Sequence, residues 1–225
     1  MVKELNIALI GCGNWGKNIA RNLHQMGCLA CIYDSNIKLS EKLSYDYSLP
    51  TLELNKIFKD HNINAIVIAS PAITHKDIAI EALNNDKDVF IEKPFCLSLT
   101  DAQKLSELAA NKNRILMVGH LLNYHNAFIK MKKLIKNGKI GVPQNIRANR
   151  LALGAIRSEE SVIYDLSAHD ISMILSITEE LPIDVSVQSI HHHNNIGPDI
   201  ISVKLSFSKG VTAIINSDWM CPCLL

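Results

Sequence analysis

The residues of this chain best suited to chemistry fall in three places: Lys93 between Glu92 and Pro94, Asp165 four residues ahead of His169, and Gly11, Gly13 and Gly16 behind an apolar run. The run Ile7-Ala8-Leu9-Ile10 reads as a buried strand that turns directly into a G-x-G-x-x-G-type loop, Gly11-Cys12-Gly13-Asn14-Trp15-Gly16. A helix over Lys17 to Gln25 follows at once. In that order Gly11 permits the tight turn and Gly13 lets the backbone approach a pyrophosphate. The new helix points free N–H groups and the positive end of its dipole at the phosphates. Asp34 closes the next apolar run, Leu29-Ala30-Cys31-Ile32-Tyr33, where a carboxylate can hold the adenosine ribose hydroxyls. A carboxylate there repels a 2′-phosphate, so NAD is favoured over NADP. Trp15 either lines the cofactor crevice or is a surface aromatic.

A bound nicotinamide implies hydride transfer. Oxidising a secondary alcohol gathers negative charge on the oxygen as the hydride leaves. A fixed ammonium such as Lys93 stabilises that charge or takes the proton itself. His169 is the other candidate base, because imidazole titrates near neutral pH. Asp165 and His169 share a face if both lie in one helical turn. If Asp165 only precedes the helix, it orients the imidazole or holds a sugar hydroxyl. The alternatives are a capping or core histidine and an N-cap aspartate.

These residues need strands and helices to place them. Apolar runs at 6–10, 29–33, 65–69, 88–91 and 115–118 read as buried parallel strands. Thr74-His75-Lys76-Asp77 and Ser98-Leu99-Thr100-Asp101 resemble capping boxes that open helices. The alternation implies a doubly wound α/β domain over 1–120. Ligands in such sheets bind beyond the carboxyl ends of the strands. Ser70-Pro71 with His75, then Glu92-Lys93-Pro94, then Gly119-His120 therefore belong to one crevice. From 121 the texture becomes α+β: a helix from Ala127 to Lys136 ending at Asn137-Gly138, a strand near 145–152, a helix near 168–178, and strands near 184–192, 200–207 and 211–217. Ser208-Lys209-Gly210 reads as a hairpin turn, so the second sheet is mostly antiparallel.

Composition narrows the partners. The 225 residues carry a net charge of +1, from 23 Lys+Arg against 22 Asp+Glu, which argues against nucleic acid and anionic membranes. No apolar run is long enough to cross a membrane, and the N-terminus enters a strand without a signal peptide. Six scattered cysteines fit reduced thiols in a cytoplasm, with Cys28 and Cys31 read as core rather than metal ligands. The run His191-His192-His193 reads as a solvated strand end, and no metal site is expected. Lys130, Lys132, Lys133, Lys136 and Lys139 read as the wet face of a helix, with a weak role in holding an anionic substrate left open.

Taken in order, the glycine turn, Asp34, Ser70-Pro71 with His75, Glu92-Lys93-Pro94 and Asp165-Leu166-Ser167-Ala168-His169-Asp170 resemble the Gfo/Idh/MocA oxidoreductases from residue 5 to about 218. The resemblance implies Lys93, Asp165 and His169 as the catalytic group. It implies Gly11, Gly13, Asn14, Trp15, Gly16, Asp34, Ser70, Pro71, His75, Glu92, Lys93 and Pro94 around the cofactor. Gly119-His120-Leu121-Leu122 and Ala155-Ile156-Arg157-Ser158-Glu159-Glu160 are most similar to members acting on nucleotide-linked amino sugars. The expected activity is NAD-dependent oxidation of a sugar or nucleotide-sugar, with a non-catalytic or weakly active NAD-binding relative as the alternative. Asn123 and Asn126 depart from the arginine and proline usual in the family. Family members also continue further, so the second domain (121–225) reads as truncated. An open sheet edge and an uncovered apolar face then imply a homo-oligomer through the second sheet.

Overall fold

In the first unit, strands β1 (Ile7–Ile10), β2 (Leu29–Tyr33), β3 (Ala65–Ile68), β4 (Asp88–Ile91) and β5 (Leu116–Val118) form one parallel sheet in the order β2-β1-β3-β4-β5. A parallel bridge from Ile32 to Thr51 adds the beginning of a further strand beside β2. Residues 5–151, 153, 160–192 and 197–222 are described by the computed structural model, and the chain divides into units Met1–Gly119 and His120–Leu225.

The apolar runs are nearly continuous because both faces of this sheet are covered. Alternate residues of β1 serve two different cores. Ala8 and Ile10 join Ile66, Ile68, Val89 and Ile91 on one face, packed against α3 (Leu54–Lys59), α4 (Ala72–Asn84) and α5 (Leu99–Asn111). Ile7 and Leu9 join Ile32 and Val67 on the other, against α1 (Asn14–Gln25) and α2 (Ile37–Tyr47). Each fully buried Leu or Ile contributes about 1.5–3 kcal/mol. Cys28 and Cys31 lie in the core as expected.

Several boundaries differ from the sequence reading. Helix α1 starts at Asn14, inside the glycine turn, rather than at Lys17. Helix α4 starts at Ala72 with Pro71 at its cap, so Thr74 does not open a capping box. The Thr74 hydroxyl instead donates to the Pro71 carbonyl and meets the Ser70 hydroxyl. Ser98 does cap α5, accepting from the Asp101 N–H.

The second unit opens with a 3-10 turn (Leu121–Tyr124) and α6 (Asn126–Lys136), followed by β6 (Asn145–Leu151). A π turn (Ile163–Ser167) runs into α7 (Ala168–Thr178), and β7 (Asp184–Ile190), β8 (Ile200–Ser206) and β9 (Thr212–Asp218) complete a sheet ordered β6-β9-β8-β7. The β7–β8 and β8–β9 pairs are antiparallel and β6–β9 is parallel, so the sheet is mixed. Gly210 supplies the positive φ of the expected hairpin turn. Ile201, Val203, Leu205, Ala213 and Ile215 alternate into a core with Val162, Ile174 and Trp219. The β7 ladder ends at Ile190, so His191 and His192 lie beyond the strand, and the His192 N–H donates to Asp199 Oδ2 at 2.6 Å. The readings that fall on Ala152, His193 and 154–159 lie outside the described residues.

Candidate functional site

The glycine turn is built as its residue types require. Gly11 has φ +100°, and a Cβ there would sit 2.5 Å from the Ala69 carbonyl carbon and the Ser70 nitrogen. At Gly16 a Cβ would lie 2.0 Å from the Gly11 carbonyl oxygen, so only glycine lets α1 pack so close to the strand end. Gly13 is different: a Cβ there would meet nothing within 4 Å, and no side chain caps the first turn of α1. The open side of the turn, with unclaimed helix N–H groups behind it, is a cradle for an anion.

Asp34 is fixed to that cradle. Its Oδ2 accepts the Cys12 N–H at 2.6 Å and its Oδ1 accepts the Asn36 N–H at 2.7 Å. Cys12 itself is fully buried, and burial, with the nearby Asp34 charge, pushes its thiol up to about 12. It is an inert residue under the turn.

The ends of β3 and β4 supply the next residues. The Lys93 N–H donates to Glu92 Oε2 at 3.3 Å. Burial raises the Glu92 carboxyl above its ordinary range, opposed by a hydrogen bond from Trp15, by the Lys93 N–H and by the Lys93 charge. Gly119, after β5, leaves room for this carboxylate, since a Cβ there would lie 2.9 Å from Glu92 Oε1. Glu92 thus joins the glycine turn, through Trp15, to the ends of β4 and β5. Trp15 keeps 44% of its surface exposed. Ser70 and Pro71 lie at the end of β3, and Pro94 is buried beside Lys93. His75 is 1% exposed, with Nε2 2.9 Å from the Ser70 carbonyl oxygen and Nδ1 2.9 Å from that of Pro94. It lies beneath these loops with both ring nitrogens engaged.

In the second unit Asp165 lies in the π turn and His169 in the first turn of α7. A π turn holds more residues per turn than an α turn, so the two are not simply stacked as an α-helical i, i+4 pair. Asp165 Oδ2 accepts the Trp219 indole N–H at 3.2 Å. The His169 carbonyl accepts the Ser172 hydroxyl at 2.8 Å, and Asn123 donates to Ser172. Asp170, next to His169, is gripped by Arg150 of β6 through two bonds of 2.9 and 2.8 Å. The bond to Asp170 raises the Arg150 guanidinium above its ordinary range. His120 is held below its usual value by burial. Asn126, where the family has proline, is the first residue of α6, a position at which proline is well tolerated. Arg150, Asp170 and Trp219 were not singled out from sequence; the only signal was that Asp170 adjoins His169.

Residues 5–120 match the family model described as "Oxidoreductase family, NAD-binding Rossmann fold", and residues 128–223 match the GFO/IDH/MocA C-terminal domain. The chain belongs to the Gfo/Idh/MocA family. Its first unit is an NAD-binding Rossmann domain, and the open cradle and fixed Asp34 fit that cofactor. Similar curated proteins include the myo-inositol 2-dehydrogenase of Thermotoga maritima, 27% identical over 95% of this chain and 68% of that protein. The UDP-N-acetylglucosamine 3-dehydrogenase of Acidithiobacillus ferrooxidans is 27% identical over 81% of this chain and 57% of its own length. The 2,7-anhydro-N-acetylneuraminate hydratase of Escherichia coli is 32% identical over 61% of this chain, with 37% of its own length matched. The chain thus spans between about a third and two thirds of these relatives. Among solved structures, the Acidithiobacillus enzyme superposes with TM-score 0.87 at 24% identity, covering 99% of this chain and 72% of the other. GenD2 from gentamicin A biosynthesis, solved with NAD, gives 0.88 at 22% identity, covering 100% and 68%. Both share the fold.

Proposed function

We propose that the protein is an NAD-dependent dehydrogenase that oxidises a secondary hydroxyl of a sugar, an inositol or a nucleotide-sugar. The observation that carries this reading is Lys93, held at the end of β4 by the same Glu92 that meets Trp15 of the glycine turn. NAD, when bound, supplies the hydride acceptor. Lys93 stabilises the alkoxide as it forms, or removes its proton. His169 is the second candidate base, with Asp165 orienting it or holding a sugar hydroxyl. Gly11, Gly13, Asn14, Trp15, Gly16 and Asp34 bind the cofactor, with Ser70, Pro71, Glu92 and Pro94 lining its crevice. The first unit (1–120) holds NAD and the second (121–225) holds the sugar and assembles subunits.

Three finer features belong to the same reading. NAD is preferred to NADP because Asp34 presents a fixed carboxylate where a 2′-phosphate would lie. A nucleotide-linked amino sugar is favoured by the likeness to the Acidithiobacillus enzyme. Self-association through the second sheet is supported by Val185 and Val187, which are 53% and 52% exposed on β7.

The test is absorbance of NADH during incubation with NAD and a panel of inositols and UDP-sugars. Reduction of NAD by one class supports the reading and names the substrate class. Tight NAD binding with no reduction across the panel supports the non-catalytic relative instead.

A further inference from the structure

Helical side chains lean toward the helix N-terminus. In α4 that lean carries the His75 ring back to the Ser70 carbonyl, 2.9 Å from Nε2. The opposite edge of the ring reaches the Pro94 carbonyl, 2.9 Å from Nδ1. Ser70 closes the β3 end and Pro94 follows Lys93 at the β4 end. The two strands pair only as far as Ile68 and Ile91, with one more bond from the Glu92 N–H to the Ile68 carbonyl. Past that point the His75 ring spans the two loops. At 1% exposure the ring is closed off from the surface.

We propose that His75 is a positioning residue. By bridging the Ser70 and Pro94 carbonyls it fixes the loop in which Lys93 precedes Pro94 and so sets the place of the ammonium at the crevice. With the ring buried and both nitrogens facing protein carbonyls, it acts through the loops rather than by touching the cofactor. This revises the cofactor-contact role expected from sequence. Carbonyl oxygens only accept hydrogen bonds, so one contact takes the single N–H of a neutral ring, and both are hydrogen bonds only when both ring nitrogens carry a hydrogen. A glutamine in its place would turn its amide oxygen toward one of the carbonyls, keeping one contact and losing the other. The catalytic consequence rests on the dehydrogenase reading; the bridge itself does not.

The experiment uses the full chain as wild type, His75→Gln and His75→Ala. Hydrogen exchange by mass spectrometry reads the amides of Ser70, Ala72, Lys93, Phe95 and Cys96. Acetylation followed by peptide mapping reads the reactivity of Lys93. In His75→Ala both segments should exchange faster by about tenfold, the equivalent of one lost hydrogen bond. Lys93 labelling should change in the same variant, while the glycine turn and β5 stay as in wild type. His75→Gln should fall between the two, and it carries the test alone if the alanine variant does not fold. Where turnover is measurable, kcat should drop, with a smaller rise in KM for NAD as the two crevice loops loosen. A folded variant with both loops unchanged overturns the proposal. So does loosening spread equally over the glycine turn and β5, because that is what general destabilisation gives. Exchange and labelling need no substrate, so failure of the bridge can be told apart from failure of the dehydrogenase reading.

Discussion

Both oxygens of Asp34 accept backbone N–H groups, which fixes its charge beside the glycine turn. Asp34→Ala is therefore expected to bring NADP affinity up toward that of NAD. Calorimetric titration with both cofactors measures this, and equal affinities in the unaltered protein contradict it. The buried thiols carry a pH dependence. Cys12 and Cys31 are each pushed from 9.0 to about 12, chiefly by burial. A group whose folded value is raised favours the folded state below its unfolded value, and that advantage is lost as pH rises to the folded value. Stability should thus fall between pH 9 and about 12. Cys31→Ala should flatten the decline, read as urea midpoints across that range; an unchanged slope counts against the assignment. Gly11 and Gly16 were legible because each answers a local steric demand, whereas at Gly13 a Cβ would meet nothing within 4 Å. His75 stood out in the sequence through its place after Ser70-Pro71, but its contacts with carbonyls on both edges did not, since Pro94 is 19 positions away.

At the scale of elements, the five strands of the first sheet were readable because burial on both faces makes each a continuous apolar run. Helices α2 and α3 were not read. The six residues of α3 are too few to show a helical period, and α2 buries only Ser40 and Leu43. Thr74 looked like a cap because its spacing to Asp77 fits, yet Pro71 starts the helix sooner and takes its hydroxyl. The grip of Arg150 on Asp170 joins β6 to α7 across 20 positions, beyond any local pattern. Arg150→Met should cost about 1.5–3 kcal/mol by leaving a mostly buried carboxylate unpaired. Adding Asp170→Leu should recover part of that loss. Urea denaturation of the single and double variants tests this, and a single variant as stable as wild type would show that the pair does not stabilise the fold.

At the scale of the whole molecule, the family and both of its domain types were legible because the motifs occur in one order along the chain. The mixed pairing of the second sheet was less so, since the parallel β6–β9 contact joins the first and last strands of that unit. The exposed Val185 and Val187 lie opposite the buried Leu205 and Val203, so the apolar face continues onto an edge strand. Val187→Lys is expected to lower the weight-average mass in sedimentation equilibrium; a wild type that is already monomeric contradicts self-association through this edge. The proposed reaction is hydride transfer from a sugar carbinol to NAD, with Lys93 at the oxygen. Its most direct measurement is mass spectrometry of the cofactor after incubation with a sugar deuterated at the carbinol carbon. NADH carrying one deuterium is expected with the wild-type chain, and a loss of transfer of about a hundredfold or more in Lys93→Ala with NAD binding retained. No deuterium in the cofactor for any sugar that binds, or full transfer by Lys93→Ala, would contradict it.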